Sequence, residues 1–273
     1  MRTLVQLSDL HFGAIDERLL APLRARIQAL DPDVIVISGD LTQRAKPGQF
    51  DAAREWLESL PKPQVVVPGN HDVPLYNVLM RFAAPLRRYK RHFSPDLEPQ
   101  FIDDELAVVG VSTARSLVFK GGRVNQAQID RVREVFCRLP ETVTKIVVTH
   151  HPFDMPEDWD ERDQIAGRAR KALKQLAACG ADVYVSGHLH KAHTSGLASV
   201  VELPGLKPLF VAAGTATSTR SRGEKNGFNV LRTRPREIEV EQHEWDDATG
   251  DFRRASGSVF RRIDGGWRVV EGG

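Results

Sequence analysis

Short apolar runs alternate along this chain with longer stretches in which apolar residues recur every three or four positions. Residues 4–7, 34–37, 65–67, 146–148 and 183–185 are such runs, of strand length and rich in valine and isoleucine. Between them lie amphipathic stripes. Leu19, Leu20, Leu23, Ile27 and Leu30 predict a helix over 18–30. Phe50, Ala53, Trp56, Leu57 and Leu60 predict another over 50–60, stopped by Pro61 and Pro63. Ile129, Val132, Val135 and Phe136 mark a third before Pro140. Ile165, Ala169, Ala172, Leu173 and Leu176 mark a fourth, ended by Gly180. Strand and helix in alternation imply a largely parallel sheet with helices on its faces. The pattern changes after His190. Residues 209–213, 228–233, 237–245 and 258–263 read as strands joined by Gly- and Pro-containing turns, and 237–241 alternates as a half-exposed strand does. They predict a second, more antiparallel sheet packed against the first, within an α/β fold. The chain has no internal repeat and no low-complexity tract.

One stretch departs from this alternation. Leu75, Leu79, Phe82, Leu86, Tyr89 and Phe93 fall at helical spacing, with Arg81, Arg87, Arg88, Lys90, Arg91 and His92 between them. Pro85 is expected to kink or divide the helix. Such a basic amphipathic segment is either a packed helix with a solvated face or a cap that offers positive charge to a ligand. In the second reading Arg87, Arg88 and Arg91 are candidate substrate-binding residues.

Composition narrows the class. A chain of 273 residues with 41% hydrophobic and 27% charged content is ordinary for one α/β domain. The net charge of +2 gives no case for nucleic acid. No apolar run approaches the roughly 20 residues that span a bilayer. The first strand starts almost at once, without a basic and apolar leader before it, so the expected location is the cytoplasm. Cys137 and Cys179 fall in different predicted helices and are expected as two buried, reduced thiols. Oligomeric state leaves no mark in the sequence.

Each of the five apolar runs is followed by residues suited to bind metal. Asp9 and His11 follow the first, Asp40 the second and Asn70 the third. His150 follows the fourth, and His188 and His190 the fifth. Ligand-type residues at the exits of five strands point to one sheet edge, where α/β folds place their chemistry. With His71 and His151, which stand directly beside Asn70 and His150, six of the nine histidines fall in these clusters, which weighs against a structural role for the set. Asp9 and His11, like His188 and His190, are one residue apart, so an extended backbone would turn both members of each pair the same way. Gly39, Gly69 and Gly187 would permit sharp turns and close backbone approach. Hydrolysis of a phosphate ester uses such sites. Two ions about 3.5–4 Å apart clamp the phosphoryl oxygens and lower the pKa of a bridging water, whose hydroxide is the nucleophile. A carboxylate must bridge the pair, and Asp40 is the best candidate. Imidazole, carboxylate and amide ligands suit Mn, Fe or Zn.

The order Asp-x-His, Gly-Asp, Gly-Asn-His-Asp, His, Gly-His-x-His resembles the calcineurin-like metallophosphoesterase superfamily over residues 1–214. The resemblance implies a four-layer α/β-β/α sandwich of two mixed sheets flanked by helices. It further implies a single domain over 1–273, to which 215–273 add strands and a tail. Asp9, His11, Asp40 and His190 would hold one metal; Asp40, Asn70, His150 and His188 would hold the other. His71 would contact the phosphate and protonate or stabilise the leaving oxygen. Asp72 would orient His71 by accepting a ring N–H, or cap the turn. His150 is the expected ligand of the His150-His151 pair, leaving His151 behind it or merely packed. His92, His193 and His243 lack ligand spacing and read as structural. Residues 213–224 bring small hydroxyl side chains with Arg220 and Arg222, which fit either phosphate contact or a polar loop.

Histidine after asparagine in Gly-Asn-His-Asp resembles the cyclic-nucleotide phosphodiesterase-like, class III, branch. That implies a hydrolase of small phosphodiesters. Phosphomonoesters and lipid-linked phosphates or pyrophosphates are the alternatives, and a binding scaffold without catalysis is the alternative of another kind. No residue of the motifs reads a purine.

Overall fold

In the computed structural model, β1 (Arg2–Leu7) sends Val5 and Leu7 into one apolar cluster and Leu4 into a second. β2 (Val34–Ile37) divides Ile35 and Ile37 from Val34 and Val36 in the same way. Apolar residues on both faces at a period of two mark strands buried from both sides. The structure describes residues 1–75, 78–116, 121–156, 159, 162–195, 208–220 and 223–272.

Two sheets stack face to face. β3 (Gln64–Val66) pairs with β2, and β2 with β1, all parallel. β10 (Gly227–Arg234), β11 (Glu237–Asp246), β12 (Asp251–Ile263) and β13 (Gly266–Gly272) continue this sheet antiparallel from the other side of β1, making seven strands. The second sheet holds β4 (Gln100–Ile102), β5 (Leu106–Gly110), β6 (Thr144–Val148), β7 (Val183–Ser186), β8 (His193–Ser195) and β9 (Leu209–Ala212), in the order β4-β5-β6-β7-β9-β8. Its four central strands are parallel.

Helices cover the outer faces. α1 (Leu20–Leu30) and α2 (Pro47–Glu58) bring Leu23, Ile27, Phe50 and Trp56 to the first sheet. α5 (Gln126–Phe136) and α6 (Ala169–Ala177) bring Ile129, Val132, Leu173 and Leu176 to the second. Asn125 starts α5 by accepting the Gln128 N–H, and Gln128 returns the bond to Asn125. The third cluster, Leu4, Val34, Val36, Val108, Ile146, Val183, Leu231 and others, lies between the sheets. This is the expected four-layer sandwich. Buried polar side chains cross it: Gln6 donates to Ser186 O at 2.8 Å and accepts from Asn229 at 3.1 Å, and Asn229 donates to Ala212 O at 3.1 Å.

Four expectations need correction. The strands after His190 do not form a sheet of their own. β9 joins the parallel strands of the second sheet, and β10–β13 extend the first, because alternation reveals a strand's faces and not its neighbours. β4, β5, β8 and β13 lay outside the predicted strands. The stripe from 75 to 93 forms α3 (Val78–Ala83) and α4 (Arg87–His92), divided around Pro85 as expected. Only its second half is packed as predicted: Leu86 and Tyr89 are buried, whereas Leu79 and Phe82 are exposed and Arg81 is buried. Finally, Cys137 and Cys179 are joined in a disulfide and are not two thiols. They end α5 and α6, which pack together and bring the two Cα atoms to 4.6 Å.

Candidate metal centre

The C-terminal ends of β1, β2, β3, β6 and β7 open onto one edge, and the loops leaving them carry the motif residues. Asp9, His11, Asp40, His150, His188 and His190 are all buried; Asn70 and His71 are half-buried at the mouth. The pairs Asp9/His11 and His188/His190 do not owe their shared direction to extended backbone. All four have positive φ, between 51° and 73°, as does Asp40 at 53°. Non-glycine residues enter this region at a cost and collect where chemistry demands it. The tight left-handed turns fold each pair back over the strand end. Gly39 has φ 95° with the His150 ring against its Cα, and a Cβ on Gly69 would collide with the Asp40 carboxylate. Both positions require glycine.

The donors gather in two groups. Asp9, His11, Asp40 and His190 each offer a ligand atom within 4.8 Å of the others; so do His150, His151 and His188. Asn70 joins the second group, its Oδ1 2.9 Å from His150 Nε2. Asp40 lies between them: Oδ2 is 3.7 Å from His11 Nε2 and Oδ1 is 3.4 Å from His150 Nε2. Imidazole nitrogens face each other at 3.2 Å in both groups, His11 with His190 and His188 with His150. Asp9 Oδ1 and His188 Nε2 are buried without hydrogen-bond partners among the described residues. Converging nitrogens and orphaned oxygen fit cations better than they fit one another.

Outer contacts aim the ligands. His150 Nδ1–H donates to Ser38 O at 2.8 Å, and His190 Nδ1–H to Arg220 O at 3.1 Å, so each turns Nε2 inward. Thr215 and Thr217 donate to the carbonyls of Asp9 and Leu10 at 2.8 Å. The hydroxyls after Gly214 therefore brace the first motif. Burial opposes ionisation of Asp9, but His190 and His11 outweigh it and hold the carboxyl well below the usual range. Burial likewise opposes ionisation of Asp40, and His150 reverses it. Burial also works against the charged form of His150, yet Asp40 raises it to about 9. His188 falls to about 3 through burial and the His150 charge. The pocket thus keeps two buried carboxylates charged and calls for positive charge between them.

His71 Nδ1–H donates to Gln43 O at 2.9 Å. Asp72 is not its partner, contrary to the orienting role expected for it. The Asp72 carboxylate accepts Gly69 N–H, Leu41 N–H, Thr42 N–H and the Thr42 hydroxyl, at 2.9–3.2 Å. It clamps the Asn70 turn to the Asp40 loop, which is the turn-cap alternative. Burial and Asp40 push its pKa up to about 6 against these bonds. His151 bonds Thr113 Oγ1 at 2.8 Å and packs on the His188 ring, centroids 4.4 Å apart. His92 and His243 have the structural contacts expected: His92 stacks on Phe50, and His243 stacks on Phe228 and bonds Glu241.

Of the candidate arginines, Arg220 reaches the site, its Nη1 3.4 Å from His71 Nε2. Arg222 lies outside the described residues. Arg88 bonds Ala45 O, and Arg87 and Arg91 are exposed on α4, whose other side packs on α2. Three other residues approach the centre instead. Gln43, Arg44 and Arg81 line a cavity of about 220 Å³ that also touches Asn70 and His71. Gln43 and Arg44 follow the Gly39-Asp40 motif after Leu41 and Thr42, which was the available signal. Arg81 was visible only as one of several basic residues.

The sequence matches the family model for calcineurin-like phosphoesterases over residues 2–192. It is 27% identical over 265 residues to a cAMP/cGMP dual specificity phosphodiesterase of Mycobacterium tuberculosis, covering 85% of this chain and 76% of that one. It is 23% identical over 228 residues to the 3',5'-cyclic adenosine monophosphate phosphodiesterase CpdA of Haemophilus influenzae, covering 84% and 77%. The match to a probable cyclic nucleotide phosphodiesterase of Synechococcus spans only 26% of this chain and 32% of that protein. In fold, the chain superposes on a purple acid phosphatase from yellow lupin with a TM-score of 0.71 at 14% identity, over 94% of this chain and 53% of that one. A dimetal phosphatase from Danio rerio gives 0.62 at 12% identity, over 88% and 95%. With its model matched from the first strand through the last histidine motif, the chain belongs to the calcineurin-like phosphoesterase family.

Proposed function

We propose that this metal-dependent phosphoesterase is a phosphodiesterase working through two metal ions. The observation that supports the reading is Asp40, whose two oxygens face His11 in one group and His150 in the other. Asp9, His11, Asp40 and His190 would hold one ion, and Asp40, Asn70, His150 and His188 the second. Mn, Fe or Zn suits these donors. When bound, the ions would polarise the phosphoryl oxygens and make a water acidic enough to attack at neutral pH.

The chain's own residues do the rest. Ionised Asp9 and Asp40 balance the positive charge. His71, anchored through Nδ1–H to Gln43 O, keeps Nε2 for the leaving oxygen; in the imidazolium form, with both ring nitrogens protonated, it gives that oxygen its Nε2 proton and is left as the neutral Nδ1–H imidazole. Arg220, beside that nitrogen, meets a phosphoryl oxygen. A small diester fits best, and the cyclic-nucleotide relatives make a cyclic nucleotide the first substrate to try. A complete donor set weighs against a scaffold without catalysis. No helix among the described residues is long and apolar enough to cross a membrane. The proposed location is the cytoplasm, against which the disulfide stands as a feature of oxidising compartments.

The test is hydrolysis of bis(p-nitrophenyl) phosphate and p-nitrophenyl phosphate with added Mn. A panel of cyclic nucleotides, glycerophosphodiesters, phosphomonoesters and pyrophosphates follows. Faster turnover of monoesters than diesters overturns the diesterase reading, and turnover indifferent to chelators overturns the metals.

A further inference from the structure

The solvent face of α3 is apolar. Leu79 and Phe82 are 80% and 54% exposed, and Leu75, just before the helix, is 38% exposed. Ala83 is exposed too, so Leu79, Phe82 and Ala83 stand at i, i+3 and i+4 and share one face. The helix is held with that face outward. Arg81 is buried on its other side, where the guanidinium donates to Pro74 O at 3.3 Å. The patch adjoins the metal centre, because Leu75 also lines the cavity that touches Asn70 and His71. Large apolar side chains gathered in water mark an interaction surface.

Charge says what the surface meets. α4 begins four residues after α3 ends, and Arg87, Lys90 and Arg91 are its exposed residues, again at i, i+3 and i+4. Residues 75–93 carry five arginines and lysines and no acid, in a chain whose net charge is +2, so the rest of the chain is net acidic. Asp51 of α2 meets His92 at the end of α4 that is farther from α3 along the chain. We infer that α3 and α4 form a peripheral docking surface for an anionic lipid bilayer. Leu79 and Phe82 enter the boundary between headgroups and acyl chains, and Arg87, Lys90 and Arg91 lie among the anionic headgroups. A second copy of the chain fits the patch less well, because a two-fold axis would set these cations against their own kind. A stable protein partner needs about 1,200 Å² or more of contact, which three apolar side chains do not supply. The inference does not depend on which phosphate ester is cleaved.

Co-sedimentation with vesicles tests it, using pure phosphatidylcholine and equal parts phosphatidylcholine and phosphatidylglycerol. Partition into the anionic vesicles should be higher by about tenfold or more, since each basic residue near such a surface contributes about fivefold. Arg87→Gln/Lys90→Gln/Arg91→Gln should remove that difference. Leu79→Glu/Phe82→Glu should lower binding to the anionic vesicles by about tenfold or more, as loss of two inserted apolar side chains would. Its hydrolysis of bis(p-nitrophenyl) phosphate with Mn should match that of the wild-type protein. All five residues are exposed, and an unchanged melting temperature confirms that each variant folds. In Phe82→Trp the added fluorescence should be quenched by vesicles with brominated acyl chains. Equal binding to both kinds of vesicle, binding to neither, binding that survives both multiple variants, or fluorescence left unquenched each overturns the inference. So does self-association of the wild-type protein that Leu79→Glu/Phe82→Glu abolishes in sedimentation equilibrium, which would assign the patch to a second copy.

Discussion

Replacing Asp72 with asparagine separates two roles that the motif alone confuses. In the structure one carboxylate oxygen accepts Thr42 N–H and the Thr42 hydroxyl, and the other accepts Gly69 N–H and Leu41 N–H. Asparagine keeps one acceptor oxygen. Its NH2 must then face the donors that the other oxygen served. Placed to retain Gly69 and Leu41, it strands Thr42 N–H, while the hydroxyl can rotate; placed the other way, it strands two backbone donors. Each stranded buried donor costs roughly 1–3 kcal/mol and the favoured placement strands one, so Asp72→Asn should lower the unfolding free energy by about 1–3 kcal/mol. The loops it releases carry Asp40 and Asn70, so metal affinity should fall about 10–100-fold, as for other outer contacts of ligands. Urea unfolding and metal titration measure the two effects. A residue that oriented His71 would behave otherwise. It would lower kcat with stability and metals intact, and its effect would disappear in a His71→Ala background. That outcome would refute the clamp.

Three further expectations are sharp enough to test. Asp40→Ala should lose both metals and all turnover, because each of its oxygens faces a different donor group; two metals per chain by elemental analysis would contradict it. His71→Ala should keep the metals and lose about 10²–10⁴ in rate, with alkyl diesters suffering more than nitrophenyl ones. An equal loss for both would make His71 a phosphate contact and not the acid. Cys137→Ser/Cys179→Ser opens a loop of 42 residues and should cost about 4 kcal/mol by chain entropy, without changing metal content. Loss of metal in that variant would show that the far ends of α5 and α6 are coupled to the centre.

Much of the site was legible because its ingredients are local. Each ligand follows an apolar run by two to five residues, and a strand exit can be read from such a run alone. The same logic fails for properties that depend on partners distant in sequence. Residues 237–245 read correctly as a strand, yet nothing in their alternation says that they pair with β10 and β12 and not with the parallel strands of the second sheet. The Cys137–Cys179 bond needed the packing of two helices, and Asp72 needed the Asp40 loop, 30 residues away. Arg81 was misread for a different reason. Helical periodicity assigns apolar residues inward, and α3 breaks that rule beside the cavity. The left-handed backbone of Asp9, His11, Asp40, His188 and His190 was equally hidden, since glycine is its usual signal and these are not glycines.

The Gln6–Asn229–Ser186 tie bears on how far this protein can be stabilised by design. Asp9, His11, Asp40 and Asn70 ride on the first sheet; His150, His188 and His190 ride on the second. Their convergence requires one sheet to sit on the other in a single register, and the tie is a polar pin through otherwise interchangeable aliphatic layers. Exchanging Gln6 and Asn229 for leucine removes buried polar groups and suits the surrounding core, the kind of change that often raises a melting temperature. It also frees the layers to slide by fractions of an ångström, which apolar contacts scarcely oppose and a site of seven ligands cannot absorb. At this pair, robustness and turnover are traded directly against each other.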